Sequence, residues 1–418
     1  MINKLMIKAE ADCAKQHETV SGLVESNQKR VLDSFKKSRV SDSHFNSTTG
    51  YGYDDLGREV LETVYADVFG GEDALVRPQI VSGTHAISTA LFGILRPGDE
   101  LLYITGQPYD TLESVIGING ENTGSLNDFG ISYNYVGLQE DGTINFDEIN
   151  RSISKQTKVI GIQRSKGYDD RPSFMIEDME EMVKYVKNID DNLIVFVDNC
   201  YGEFVEEKEP LHIGADLIAG SLIKNPGGGI VRAGGYIVGK EHLVTQCAHR
   251  LTAPGLGKET GATFNVLQEM FQGLFLAPHI VGEALKGAIL TARFLELAGF
   301  NTSPDFDDKR TDLIQSVSFG NEANMVAFCQ AIQHNSPVNS FVTPYPSEMP
   351  GYQDEVIMAA GTFIQGASIE LTADGPIREP YIAFVQGGLT YSHVKIALKE
   401  AVSNLADKGL ISITEGIN

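Results

Sequence analysis

The chain has 418 residues, 42% of them hydrophobic, which is enough for a large core and for two domains or one large domain with an appendage. Its 56 acidic residues against 33 basic ones leave a net charge of −23, a surface that repels phosphate backbones and argues against nucleic acid as a partner. The cysteines, Cys13, Cys200, Cys247 and Cys329, stand far apart with no C-x-x-C pair, which argues against a zinc site and against a disulfide framework.

No metal site is therefore expected, and a reducing cytoplasm is the simplest location. The opening stretch MINKLMIKAEADCAKQ mixes Lys and Glu and has no apolar core of a secretory signal. No apolar run reaches bilayer-spanning length by this reading, so no membrane association is expected.

Residues 1–48 read as a polar helical arm passing into SDSHFNSTTGYGYDD, a Ser-, Thr-, Gly- and Asp-rich loop. LGREVLETVYADVF follows with Leu56, Val60, Leu61, Val64 and Val68 at helical spacing. From there the pattern alternates. QIVS is expected as a strand and HAISTALFGIL as a helix; ELLYIT, TKVIGIQ, NLIVFVDN, ADLIAGSLI and GGYIVG are expected strands, with IEDMEEMVKYVKN a helix among them. Short apolar runs separated by helices predict an α/β fold with a mostly parallel sheet covered on both faces, and ligands in such sheets sit beyond the carboxyl ends of the strands. A long helical stretch spans roughly 262–299. Beyond it a smaller C-terminal α+β domain is expected, with strands near 314–319, 363–371 and 381–385 and a helix from about 391. The expected division is an arm at 1–48, a large domain at 49–300 and a small domain at 301–418.

Chemistry is sought at the strand ends. In GSLIKNPGGGIVRAGGYIVG, Lys224 follows an apolar strand and precedes Pro226 and three glycines. Desolvation there is expected to lower its pKa and free the amine as a nucleophile of the Schiff-base type, while the glycines allow close approach of a flat cofactor. A lysine capping a turn is an equally weighted reading. In NLIVFVDNCYGEF, Asp198 ends a buried apolar run, and a buried carboxylate needs a partner. A protonated pyridine nitrogen of pyridoxal 5′-phosphate (PLP) is one, and a helix cap or an arginine pair is the competing account. In QIVSGTHAISTALFGIL, Gly83 and Thr84 open a helix whose free N–H groups suit a phosphate, with His85 a further candidate contact; an ordinary strand–helix turn looks the same. Tyr109, in the loop after ELLYIT, is placed to stack on a ring or to pack under the loop. The glycines of PGLGKETG follow no apolar strand and so make a poor dinucleotide fingerprint, and neither H-E-x-x-H nor G-x-S-x-G occurs.

In this order (phosphate-binding turn, aromatic, strand-end Asp, Lys) the segments resemble the large domain of fold-type-I PLP enzymes. Ser221 and Lys224 in S-x-x-K, and GQPYDTL, are similar to the cystathionine/methionine lyase group. The stretches TGYGYDDLGRE, SGTHAI, VDNCYGEF, SLIKNPGGG and GPIREPYIAFVQGGLTY resemble the methionine γ-lyase-like, cystathionine β-lyase branch associated with aluminium resistance, over residues from about 50 to 391. The resemblance implies Lys224 as the cofactor-bearing proton shuttle and Asp198 as the pyridinium partner. Gly83, Thr84 and Ser221 become phosphate holders and Tyr109 the stacking ring. Tyr51 or Tyr53 with Arg58 would reach a neighbouring subunit's phosphate, in a homodimer or homotetramer. Arg378, with Arg164 as a second candidate, would meet the substrate α-carboxylate.

The expected activity is a carbon–sulfur lyase on a sulfur amino acid, releasing a 2-oxo acid and ammonia by β- or γ-elimination. The alternatives are an aminotransferase or aldolase of the same fold, a PLP-binding protein without turnover, and a nucleotide-binding α/β protein.

Overall fold

The computed structural model describes residues 1–51, 55–118, 123–169, 171–349 and 352–412. Two long N-terminal helices, α1 (Ile2–Asp12) and α2 (Ala14–Lys37), lead into α3 (Leu56–Phe69). The central sheet is built from β1 (Asp73–Arg77), β2 (Glu100–Tyr103), β3 (Ser132–Tyr135), β4 (Thr157–Gln163), β5 (Ile194–Asp198), β6 (Leu217–Ser221) and β7 (Gly235–Gly239). Between and after them run α4 (Gly83–Ile94), α5 (Asp110–Ile116), α6 (Phe146–Ser152), α7 (Ile176–Ile189), α8 (Glu241–Leu251) and α9 (Leu267–Leu297).

The strand order is β1-β7-β6-β5-β4-β2-β3. Pairing is parallel from β6 through β5, β4 and β2 to β3, while β7 runs antiparallel to both β6 and β1. β6 and β7 thus form a hairpin with Ser221 opposite Gly235. Strands β4 to β7 are buried almost throughout, as expected when helices cover both faces. On one face α4 and α8 pack through Ile87, Leu91, Leu243 and Cys247; on the other α3, α7 and α9 close a larger core.

A second sheet is antiparallel throughout. It comprises β8 (Asn301–Ser303), β9 (Gln315–Ser318), β10 (Val356–Ala359), β11 (Thr372–Pro376) and β12 (Ile382–Gln386) in the order β10-β11-β12-β9-β8. With α10 (Glu322–His334) and α11 (Tyr391–Asp407) it has its own core.

Two strand expectations are corrected. QIVS is not a strand: the chain pairs earlier, at Asp73–Arg77, and residues 78–82 turn into α4. Arg77 explains the shift, because its buried guanidinium is held by Glu62 and by the carbonyls of Thr260 and Lys258 and ends the strand there. Residues 363–371 are likewise a loop, in which Glu370 accepts the N–H groups of Phe363 and Ile364 in place of a neighbouring strand. Helix α9 also has the length and apolarity to cross a membrane, contrary to the reading of its sequence, but two thirds of its most apolar window is buried in the fold. It packs lengthwise on α2.

The β6–β7 connection is tightly fitted. A Cβ at Gly227 would lie 1.7 Å from the Leu222 carbonyl oxygen, and one at Gly228 would lie 2.3 Å from the Gly273 oxygen of α9, at φ +55. Neither backbone can yield without moving a strand or a helix. Gly227→Ala should therefore cost about 3 kcal/mol or more, read as a lowered midpoint in denaturant unfolding, whereas Gly98→Ala, whose surroundings are open, should lose only its left-handed backbone preference, about 1 kcal/mol.

Candidate active site

The carboxyl ends of β4, β5 and β6 place Gln163, Asp198 and Ser221 on one edge of the sheet, and the turn before α4 brings Ser82, Gly83 and Thr84 beside them. There a cavity of about 260 Å³ opens, lined by these residues and by Tyr109, Tyr201, Lys224, Tyr352 and Gln386 among others. Six residues singled out in the sequence, Gly83, Thr84, Tyr109, Asp198, Ser221 and Lys224, share it.

Lys224 is deep in this edge, its Nζ 3.9 Å from the centre of the Tyr201 ring. Tyr201 is held at φ 68, a costly conformation for a bulky residue, and its hydroxyl donates to the Ala367 carbonyl at 3.1 Å. Burial, the largest single influence on Lys224, opposes its charge, as the sequence suggested. Interactions with Tyr201, Cys200, Asp198 and Glu203 together outweigh it, so the ammonium is held above the ordinary lysine range. The expected depression of this pKa is therefore corrected: the sequence shows the desolvation but not the polar groups gathered around the amine.

Asp198 accepts the Cys200 N–H at 3.1 Å. Burial pushes its carboxyl up, against the pull of Lys224, the Cys200 N–H and Arg171. A carboxylate so placed favours a cationic partner.

At the other end of the cavity Ser82 caps α4 by accepting the His85 N–H at 3.1 Å, and the Thr84 and Thr111 hydroxyls lie 3.1 Å apart. Gly83 lets this turn press on the sheet, since a Cβ there would sit 3.3 Å from Ser221 Cβ and 3.4 Å from Cys200 Sγ. His85 turns away from the candidate role: its Nδ1 accepts the Val81 N–H at 3.1 Å and braces the turn.

Tyr109 caps one wall. Its N–H donates to Gln163 Oε1 at 2.6 Å, and its hydroxyl is hydrogen-bonded to that of Tyr352, a residue of the antiparallel-sheet half of the chain. Burial keeps the Tyr109 hydroxyl well above its ordinary pKa. Tyr168 packs edge-on against Tyr109, with ring centres 5.8 Å apart, and donates to Asp374 at 2.5 Å. Beyond the tyrosines lies a second chamber of about 280 Å³, which shares Tyr109, Gln163, Tyr168 and Tyr352 and adds Lys166, Arg378, Asp110, Glu113, Asp169 and Asp354.

The arginines divide. Arg378 reaches the outer chamber, half-exposed, with Nη1 on Asp354 at 3.1 Å. Arg164 does not reach either space. It is fully buried beneath Asp198, with Nε on Thr311, Nη1 on Asn199 and Glu209, and Nη2 on Glu206. Its expected role as a substrate ligand is therefore corrected: every donor group is committed to the frame. Arg58 is also buried, donating from Nη1 to the Gly261 and Gly50 carbonyls, and does not line its own chain's cavity. Tyr51 is 90% exposed and bridges to Thr260; Tyr53 lies outside the described residues.

Tyr201, Gln163, Tyr352, Gln386 and Asp374 escaped the sequence reading. Gln163 was within reach, as the last residue of a predicted strand. Tyr352 and Gln386 were not, because they arrive from a distant part of the chain.

Residues 2–406 match the family model for methionine gamma-lyase. The chain belongs to the methionine γ-lyase family. A Bacillus subtilis relative, the uncharacterised protein YnbB, is 64% identical over 412 residues, 98% of each chain. A Listeria monocytogenes structure, named as a candidate cystathionine β-lyase involved in aluminium resistance, is similar at 60% identity and a TM-score of 0.94, covering 96% of this chain and 99% of its own. A Clostridium novyi carbon–sulfur lyase involved in aluminium resistance is similar at 52% identity and TM-score 0.93, covering 97% and 96%. The fold is that of fold-type-I PLP enzymes, with a mostly parallel sheet and a second, smaller antiparallel sheet, and the family is one of carbon–sulfur lyases.

The framework role of Arg164 is directly testable. Removing the side chain takes the counter-charge from Glu206 and leaves the buried Glu209 with Arg30 alone, so Arg164→Ala should lose about 3 kcal/mol of stability, seen in denaturant unfolding. A selective rise in KM with unchanged stability would point to a substrate ligand instead.

Proposed function

We propose that this chain is a PLP-dependent carbon–sulfur lyase that acts on a sulfur amino acid of the cystathionine type, by β- or γ-elimination to a 2-oxo acid and ammonia. The observation that carries the reading is the joint placement of Lys224, Asp198 and the α4 N-terminus around one cavity.

That donor set suits the cofactor chemically. Asp198, buried and short of a full counter-charge, would hold a protonated ring nitrogen. The N–H groups at the start of α4, with the Thr84 and Ser221 hydroxyls, would hold a phosphate, and Gly83 allows it close to the backbone. When bound, PLP supplies a sink for the electrons released at the substrate α-carbon.

The chain's own residues do the rest. Lys224 Nζ, as the free amine, would take the α-proton and become charged by it, and Asp198 beside it favours the ammonium so formed until the proton is passed on. Tyr109 faces both chambers and keeps its hydroxyl protonated, so it is placed to protonate a departing sulfur, with Tyr352 orienting that hydroxyl. The buried tyrosines restrict water at the reacting carbon.

The outer chamber supports the choice of substrate. Arg378 and Lys166 suit a carboxylate, and Asp110, Glu113, Asp169 and Asp354 suit an ammonium. A thioether with a second amino-acid head satisfies both signs, whereas an S-methyl tail satisfies neither. The name of the Listeria relative agrees with this reading.

We also propose a homo-oligomer with shared sites. Val81, 74% exposed, forms part of the cavity rim, and Phe264 and Tyr51 add exposed apolar surface on segments tied to the same region through Gln79–Ala262 and Tyr51–Thr260. The free cysteines suit a reducing cytoplasm, and the charge of −23 disfavours nucleic acid.

Purified protein should show a visible cofactor band that borohydride fixes to Lys224, identified by peptide mapping. Absence of the band after incubation with PLP would sink the reading. Asp198→Ala should weaken cofactor retention and lower kcat by about a hundredfold or more, measured by dialysis and 2-oxo acid release. Arg378→Ala should raise KM for cystathionine about tenfold, with a smaller effect on methionine; equal effects on both would remove the case for a charged substrate tail.

A further inference from the structure

Two buried glutamates lie on the segment after β5, and they are treated in opposite ways. Glu209 is fully buried and accepts from Arg30, Arg164, Asn199 and the Phe204 N–H. Glu203 is equally buried, yet no arginine or lysine is in contact with it among the described residues. Its Oε1 accepts from the Tyr236 hydroxyl at 2.6 Å. Its Oε2 is sealed from solvent and has no hydrogen-bond partner among the described residues, and the same holds for the nearby Tyr65 hydroxyl.

This arrangement is built rather than incidental. Tyr236 reaches Glu203 across Gly220, where a Cβ would lie 2.6 Å from both the Tyr236 ring and its hydroxyl. The backbone oxygen of Glu203 accepts from Asn225 Nδ2 at 2.9 Å, which ties the glutamate to the residue next to Lys224. Glu203 and Lys224 act on each other's charge.

The charge count decides the state. Lys224 is the one cation that acts on both Asp198 and Glu203, and Asp198 already draws on it. An ionised Glu203 would add an uncompensated buried anion, which costs far more than a neutral acid held by one hydrogen bond.

We propose that Glu203 is a positioning residue stored as a neutral carboxylic acid beneath Lys224, and that its ionisation under alkaline conditions tightens the hold of Lys224 on its proton. The groups that face it are Tyr236 from β7, Tyr65 from α3, Cys200 and Glu209 from its own segment, and Lys224 from the β6–β7 connection. None supplies a fixed positive charge, apart from Lys224 itself. Burial, partly offset by the Tyr236 hydrogen bond, raises its pKa to about 8.

The inference rests on Lys224 being the reactive lysine, but its first tests need no cofactor. The infrared difference between the wild-type chain and Glu203→Gln at neutral pH should contain the carbonyl stretch of a protonated carboxyl. Stability should follow the same proton. Between the ordinary glutamate value of 4.5 and about 8 the folded chain binds a proton that the unfolded chain has lost, so unfolding free energy falls as pH rises through that window. E203Q removes this contribution, and its unfolding temperature should decline less steeply there.

In protein freed of cofactor, labelling of Lys224 by an amine-reactive ester should begin about one pH unit lower in E203Q than in wild type, because the alkaline anion is gone. If E203Q does not fold, Tyr236→Phe serves: it removes the donor that helps the anion, so the stability decline should extend to higher pH. No carboxyl band, or identical stability slopes, would overturn the proposal. A lost visible band with the infrared band intact would count against the cofactor reading alone.

Discussion

Everything in the site depends on one constraint: an acid and a base are withdrawn from water together, at the ends of adjacent strands. Asp198 closes β5, and Lys224 follows shortly after the end of the neighbouring β6, so their separation is set by strand pairing and by a short stretch of a clasped connection. Isolated, each would be expensive to bury. Together, and with Cys200 and Tyr201 packed around them, they hold charge at the inner wall of a cavity. Arg164 does for the frame what Lys224 does for the site. It satisfies Glu206 and Glu209 beneath the same segment, and Gly202 makes room for its stem, because a Cβ there would fall 2.4 Å from Arg164 Cδ. The distinction between the two cations is one of commitment. Arg164 has no donor group left for a ligand, whereas Lys224 faces a cavity.

How much of this could be read beforehand follows from how local each signal is. The α/β class was legible because buried parallel strands are short apolar runs between helices, and TKVIGIQ and NLIVFVDN announce themselves that way. Asp198 and Lys224 were legible because a polar residue at the end of such a run stands out, and Ser221 through the resemblance of S-x-x-K to the lyase group. QIVS misled for the same reason: it is apolar, but the hydrogen bonds that define β1 belong to the residues before it, and a buried Arg77 at the strand end gives no apolar signal. Arg164 misled as well, since the sequence shows a cation at a strand end and hides the three-sided net that holds it. Tyr352, Gln386 and Asp374 were out of reach because their contribution is made by the packing of the second sheet over the first. The state of Glu203 was invisible too, since it is decided by which glutamate the arginines reach.

The two sheets divide the labour accordingly. The parallel sheet supplies the charged and phosphate-seeking groups from strand ends and one helix start. The antiparallel half contributes Tyr352, Gln386 and Arg378, which border the space a substrate side chain would occupy, and Asp374, which holds the Tyr168 hydroxyl. Variation in that half can retune recognition while leaving the acid–base pair untouched, as expected when a shared scaffold carries differing specificities.

The reversed strand β7 has a further consequence. Because it returns antiparallel beside β6, the stretch carrying Lys224 is not a free crossover but a loop whose two ends are clasped by the pairing of Ser221 with Gly235 and whose crest is wedged under α9 at Gly273. Its contour length is therefore part of the design. Adding or deleting a residue between those clasped ends could not be absorbed at the surface, as it can in most connections. It would slide the lysine along the sheet edge, away from Asp198, so among related chains this connection should vary in composition but not in length.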